Sequence, residues 1–369
     1  MPKKLKYVFL LSTLTVLLSV HGSFAADDSM EHLVSPGLLE QAGLKILWEQ
    51  KLPLEKGESL VRLLILDDRI YAVTSKHYVV SLNRENGNRV FARPFLPDSM
   101  PKDGLQLCNN KLVSVAGSRI IAIDSTSGAE RRLIDTQFGI VGPVAGNSEY
   151  FYISGVDRRL HVFSVEDRIQ VFEAAADNDS MITSVLADED FAVFGTDKGN
   201  VVSIASGRRP VRLWQFNAAG PIVGQITRDG RSLFFACGDT NIYRIDMVGE
   251  PEGVLLIWKY QMDGILDKEP RVTKNAVYQY VPAKGVTAVD KGGSFLWSVP
   301  GGLDLLAESK GRAYVITENG KMVVMDNTNA KKLNSVSVTG VFKYAFNVKD
   351  SKIYLADKSG LLACLQPIK

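Results

Sequence analysis

One phrase recurs eight times in this chain: an apolar strand, a polar turn, a second apolar strand, then an acidic or small residue and a glycine turn. Its copies read RIYAVTSKHYVVSLN, KLVSVAGSRIIAID, YFYISGVDRRLHVFS, FAVFGTDKGNVVSIA, LFFACGDTNIYRID, AVYQYVPAKGVTAVD, AYVITENGKMVVMD and IYLADKSGLLACLQ. The apolar residues closing the second strand are Leu82, Ile123, Phe163, Ile204, Ile245, Val289, Met325 and Leu365, at intervals of 41, 40, 41, 41, 44, 36 and 40. A period near forty with about four short strands per unit is that of a β-propeller blade. Alternating apolar residues, as at Tyr71 and Val73 or Tyr314 and Ile316, mark half-buried antiparallel strands. Turns fall at Asn86-Gly87, Ser127-Gly128, Gly292-Gly293, Asn319-Gly320 and Ser359-Gly360. Blade 5 carries an insertion, MVGEPEG, and blade 6 a longer inner turn, VPAKG. Nothing helical or of low complexity interrupts the array, so residues 44–369 are expected to form one all-β domain.

The segment LKILWEQKLPL, residues 44–54, resembles the outermost strand of other blades: RLWQF around Trp214, LLIWKY around Trp258 and FLWSV around Trp297. The eighth copy leaves no room after Gln366 for its own fourth strand. The expectation is an eight-bladed propeller of four-stranded antiparallel blades, with the strand carrying Trp48 completing the last blade. A seven-bladed ring with a stray end is the alternative. Closure of this kind removes an exposed sheet edge. Upstream, Ser35-Pro36-Gly37 offers an N-cap with proline at the first helical position, and Gly43 an end, so residues 26–43 read as a linker with one short helix.

Residues 1–25, MPKKLKYVFLLSTLTVLLSVHGSFA, have the plan of a secretory signal: Lys3, Lys4 and Lys6, an apolar run from Tyr7 to Val20, then Ser23 and Ala25 at the −3 and −1 positions. A retained membrane anchor is the alternative, but the run falls short of the ~20 residues a span needs. No cysteine precedes Cys108, so the mature chain is expected to be soluble, not acylated, and periplasmic or secreted. It would carry 40 basic and 41 acidic residues, which gives no electrostatic footprint for nucleic acid. Nothing after Ala26 is apolar for long enough to span a membrane, and a monomer is expected. Cys108, Cys237 and Cys364 fall in blades 2, 5 and 8, whereas a disulfide needs Cα atoms within ~7 Å. They read as buried thiols that act as small hydrophobes.

The residues after each second strand narrow the propeller type. IAIDSTSGAERRL, VSLNRENGNRVF, TAVDKGGSFLW and YRIDMVGEPEGVLLIW resemble the quinoprotein-like (PQQ-like) repeat, with its A-x-D-x-x-T-G-x-x-x-W pattern. Asp124, Asp246, Asp290 and Asp326 can accept hydrogen bonds from the following turn, and Gly87, Gly128 and Gly293 permit its positive φ. Trp48, Trp214, Trp258 and Trp297 present an apolar body to the neighbouring blade and an indole N–H to an acceptor. Blades 3 and 4 depart, with Ser164 and Ala205 where the acid belongs. Within the superfamily, an exported eight-bladed ring is similar to the lipoprotein propellers of outer-membrane protein assembly, from which the missing lipid-attachment cysteine departs.

No catalytic, cofactor or metal site is expected. The superfamily's enzymes hold a quinone and a calcium ion beneath a disulfide of adjacent cysteines, and no two cysteines adjoin in this chain. There is no C-x-x-C-H, G-x-S-x-G or H-E-x-x-H motif. Only His32, His77 and His161 follow the signal; His161 alternates with Leu160 and Val162 and reads as a packed or surface histidine. Asp188-Glu189-Asp190 reads as a solvated hairpin tip, and Asp177-Asn178-Asp179 lacks the glycine and distal glutamate of a calcium loop. The loops between the second and third strands of every blade should share one face. They carry Lys76, His77, Arg119, Arg158, Arg159, Lys198, Lys284, Lys321 and Lys358, with the Arg158-Arg159 pair foremost, and such a charged ring suits protein recognition. The expected function is an exported, non-enzymatic scaffold for protein partners of the cell envelope, with envelope or outer-membrane protein assembly implied by the resemblance. A PQQ- and calcium-dependent dehydrogenase and a carbohydrate-binding propeller are the alternatives.

Overall fold

The computed structural model describes residues 32–94, 106–108, 111–249 and 253–368, within the unit His32–Lys369. Residues 1–31, which hold the expected signal segment, lie outside the described residues. Blade 1 is a meander of Leu60–Leu66, Arg69–Thr74, Tyr78–Asn83 and Arg89–Pro94, each strand hydrogen-bonded to the next. Six further four-stranded sheets repeat it in chain order. The eighth is different: Lys343–Ala345, Ile353–Ala356 and Leu361–Pro367 supply three strands, and Leu44–Lys51 lies outside them as the fourth. Leu44 pairs with Pro367 and Lys51 with Leu361, antiparallel. The eight-bladed ring and its closure by the N-terminal strand are as expected from the repeat.

The core follows from how blades stack. Second and third strands are sandwiched between neighbouring blades, so both of their faces are dry; Tyr150–Gly155 and Leu160–Ser164 are buried at every position. The half-burial expected from alternation, as at Tyr71 and Val73, does not hold: Ile70, Tyr71, Ala72 and Val73 are all buried, because a neighbouring blade covers each face. The described apolar residues form eight clusters, and each cluster lies across one boundary between consecutive blades. The boundary from blade 8 to blade 1 is built like the rest, with Tyr354, Leu362 and Cys364 against Leu63, Ile70 and Val80. The helix Pro36–Gln41 adds Leu39 to the boundary between blades 7 and 8.

The outer strands share a feature that alternation does not reveal. Each carries one extra residue: Val90, Val171, Leu213, Ile257, Leu296, Leu333 and, in the N-terminal strand, Leu47 lie at the same point of the register, and Leu133 lies two residues further along its strand. A bulge bends the strand and interrupts its free hydrogen-bonding edge, which discourages edge-to-edge pairing. The residue after the bulge is aromatic in six of the blades: Phe91, Phe172, Trp214, Trp258, Trp297 and Trp48. Several of these aromatics cover the glycine turn of the next blade. A Cβ on Gly87 would stand 2.6 Å from the Trp48 ring, and one on Gly293 would stand 2.8 Å from that of Trp258.

The seam between blades 8 and 1 is also tied by a buried guanidinium. Arg84, 3% exposed, donates to Tyr354 Oη (3.0 Å), the Asp67 carbonyl (2.9 Å), Asn347 Oδ1 (2.6 Å) and Asp350 Oδ1 (2.7 Å). Lys352 reaches Glu85 across the same seam.

Cys108, Cys237 and Cys364 are free and buried. Burial pushes each thiol up to about 12. The thiolate is the reactive form. The folded protein at pH 8 should therefore not react with Ellman's reagent, whereas the unfolded chain should release three equivalents; rapid labelling of the native protein would contradict this packing.

Candidate interaction face

An up-and-down meander fixes which segments share an end of the blade. Tyr78, which opens a third strand, pairs with Pro94, which closes the fourth. The loop before the third strand and the connection to the next blade therefore emerge together, and in a ring all such segments form one face. The repeat aspartates lie at the other end. Asp124 Oδ1 accepts the Thr126 and Ser127 amides at 3.0 and 2.7 Å, Asp290 that of Ser294 at 2.8 Å, and Asp326 that of Thr328 at 2.7 Å. Asp246 stands apart: its buried carboxylate takes both Arg244 Nε (3.0 Å) and Arg231 Nε (3.3 Å). Burial alone would raise its pKa, but hydrogen bonds from Arg244 and Ser232 hold it below the usual carboxylate range. The Trp258 and Trp297 indoles donate to the Lys291 carbonyl and to Asn327 in the following blade, at 2.9 and 2.8 Å. Those of Trp48 and Trp214 meet no acceptor among the described residues.

The nine basic residues singled out by sequence all fall on the first face. Lys76, His77, Arg158, Arg159, Lys198, Lys284 and Lys358 lie in loops between second and third strands; Arg119 and Lys321 open third strands. Acids from neighbouring segments hold four of them. Lys76 pairs with Glu55 and Arg158 with Asp179, both at 2.6 Å; Lys284 pairs with Asp263 at 2.9 Å, and Arg159 with Glu173. The hydrogen bond between Lys76 and Glu55 raises the lysine pKa and lowers that of the glutamate. His77 and Arg158 have φ of +62° and +65°, the left-handed region that Gly199, Gly320 and Gly360 occupy in the equivalent turns. A non-glycine residue held there is strained by roughly 1 kcal/mol or more. The result is a ring of alternating sign rather than a basic field.

The apolar residues on this face were not singled out by sequence. Val61 (46% exposed), Val156 (55%), Met181 (39%), Ile265 (74%) and Phe342 (38%) lie in its loops and connections or, for Val61, at the start of a first strand. The ammonium groups of Lys343 and Lys358 stand 4.9 and 5.5 Å from the Phe342 ring centre. Most of these residues sit in aperiodic segments, so no pattern could assign them an orientation. The only signal was their type, since a large apolar residue has little use in a segment that merely connects. Among the described residues no helix is long and apolar enough to cross a membrane.

No protein-family model and no curated protein matches the chain. Its fold does match solved propellers. The computationally designed Ika8 protein superposes with a TM-score of 0.63 at 15% identity, over 85% of this chain and 98% of that one. BamB from Moraxella catarrhalis superposes with a TM-score of 0.65, also at 15% identity, over 88% of this chain and 97% of that one. At this identity the likeness establishes the eight-bladed fold.

Proposed function

We propose that this chain is an exported, non-enzymatic propeller scaffold that holds protein partners in the cell envelope through the face just described. The carrying observation is the composition of that face. Exposed apolar side chains, above all Ile265 and Phe342, stand among paired basic and acidic groups. Apolar and aromatic anchors within a polar rim are the makeup of a protein-binding surface. The signal-like residues 1–25 and the likeness to BamB support an envelope setting, with assembly of outer-membrane proteins as the process served.

The test is retention of outer-membrane assembly subunits from an envelope extract by the immobilised mature chain. The wild type should retain them, and Ile265→Asp combined with Phe342→Ala should not, while the variant keeps its urea midpoint. Failure of the wild type to retain any such subunit would remove the assembly role.

A further inference from the structure

The side chains of Asp157, His161 and Glu173 meet on blade 3, with one ligand atom from each inside a 4.8 Å group. We propose that His161 and Glu173, with Gln170, bind one divalent cation of the zinc type while Asp157 orients the imidazole, an assignment independent of the scaffold reading. The register explains how they meet. His161 lies in the third strand, Leu160–Ser164, directly across from Glu173 in the fourth, Gln170–Ala174. Paired residues share a face. The bulge at Val171 shifts the next pairing so that Phe163 faces Gln170. Without the extra residue Val171 would take that side; with it, Gln170 and Glu173 both join His161.

The imidazole is held on three sides. Phe138 stacks on it, with ring centres 3.7 Å apart and planes 18° from parallel. Its Nε2 lies 3.0 and 3.1 Å from the two Asp157 oxygens. A Cβ on Gly155 would stand 2.3 Å from Asp157 and 2.8 Å from Nε2, so a larger residue there would displace the pair. The His161 side chain is 5% exposed, whereas those of Asp157 and Glu173 are both 40% exposed.

With Nε2–H donating to Asp157, the lone pair of Nδ1 points at further acceptors: Gln170 Oε1 at 3.2 Å and Glu173 Oε2 at 4.0 Å. Arg159 engages the other Glu173 oxygen, Oε1, and leaves Oε2 facing the ring. In that tautomer the acceptors converge without a donor, and a positive centre between them would satisfy all three. A cation about 2.0–2.2 Å from nitrogen and oxygen ligands would take this spacing with small side-chain shifts. Asp157 would then be the outer carboxylate that fixes the tautomer and strengthens the ligand. One nitrogen and two oxygens suit zinc or a neighbouring first-row ion, and the remaining positions would hold water or a partner's side chain.

The experiment is a zinc titration of the mature chain in metal-free buffer at pH 7.5 against a chromophoric chelator, with Glu173→Gln and Asp157→Asn in parallel and urea midpoints checked. One zinc per chain is expected, with affinity lowered about 10–100-fold by Asp157→Asn and at least as much by Glu173→Gln. No binding by the wild type overturns the assignment, and Nδ1 then carries a proton or faces a turned Gln170 amide. Binding that neither variant weakens also overturns it, because the zinc then sits elsewhere, as at the His32–Glu49 pair.

Discussion

Deletion of the strand Leu44–Lys51 is expected to abolish cooperative folding. That strand pairs along its length with Leu361–Pro367 and reaches two blade boundaries at once. Leu44, fully buried, and Ile46 pack into the cluster between blades 7 and 8; Leu47 and Trp48 pack into the one between blades 8 and 1. Full burial of such a side chain is worth about 1.5–3 kcal/mol; Leu44 is fully and Ile46, Leu47 and Trp48 partly buried, so the set contributes a few kcal/mol before any hydrogen bond of the ladder is counted. Whole domains are stable by only about 5–15 kcal/mol. The truncated chain should elute as aggregate or expanded monomer and show no sigmoidal urea transition. The single change Trp48→Ala should keep the fold but lower its stability by about 3–5 kcal/mol, as large-to-small aromatic substitutions do. A truncated chain with the full-length urea midpoint would rule out closure as described.

Arg84→Met should be the most damaging single change on the polar side of the same seam. The methionine fills much of the space but leaves the carboxylate of Asp350 (29% exposed), Asn347 Oδ1 and Tyr354 without their shared donor. Removing one partner of a buried ion pair costs about 3–5 kcal/mol. Arg84→Lys should recover little, because one ammonium cannot reach four acceptors spread around a guanidinium. The pH dependence separates charge from packing. Burial raises the Asp350 pKa, but the Asn347 hydrogen bond and the Arg84 and Lys352 charges outweigh it and hold the carboxyl below its ordinary value. A carboxyl depressed in the folded state adds stability above its unfolded pKa, about 3.9, which is lost as pH falls through the folded value. The gap between wild type and Arg84→Met should therefore be widest near neutrality and narrow below about pH 4, once protonated Asp350 no longer needs a cation. Urea midpoints of both proteins from pH 3 to pH 7 give the answer; a constant gap would mean that only packing was lost.

The ring was legible because its repeat is written in side chains that face the neighbouring blades. Leu82, Ile123 and their six counterparts occupy one position of the third strands, and all are buried. The fourth strand of blade 8 was legible from Trp48, which stands where other blades place Trp214 or Trp258. What escaped depends on register or on distance along the chain. A bulge is one extra residue in a strand whose polar and apolar residues already alternate loosely, so Val171 gave no sign that it would bring Gln170 beside His161. Arg84 and Asp350 are 266 residues apart and share no motif. The Arg158-Arg159 pair could be picked out from the sequence, but not the acid each finds, one from the next connection and one from the adjacent strand.

The antiparallel pairing at the seam brings Gly43 and Ile368 together, with the Ile368 amide 2.7 Å from the Gly43 carbonyl. The chain thus enters and leaves the closing ladder at the same corner. Tension applied at Gly43 and Ile368 would act across that ladder and break its rungs one after another, starting at Leu44 and Pro367. Such peeling meets far less resistance than sliding the two strands past each other, so mechanically the circle opens first at the place where it was joined.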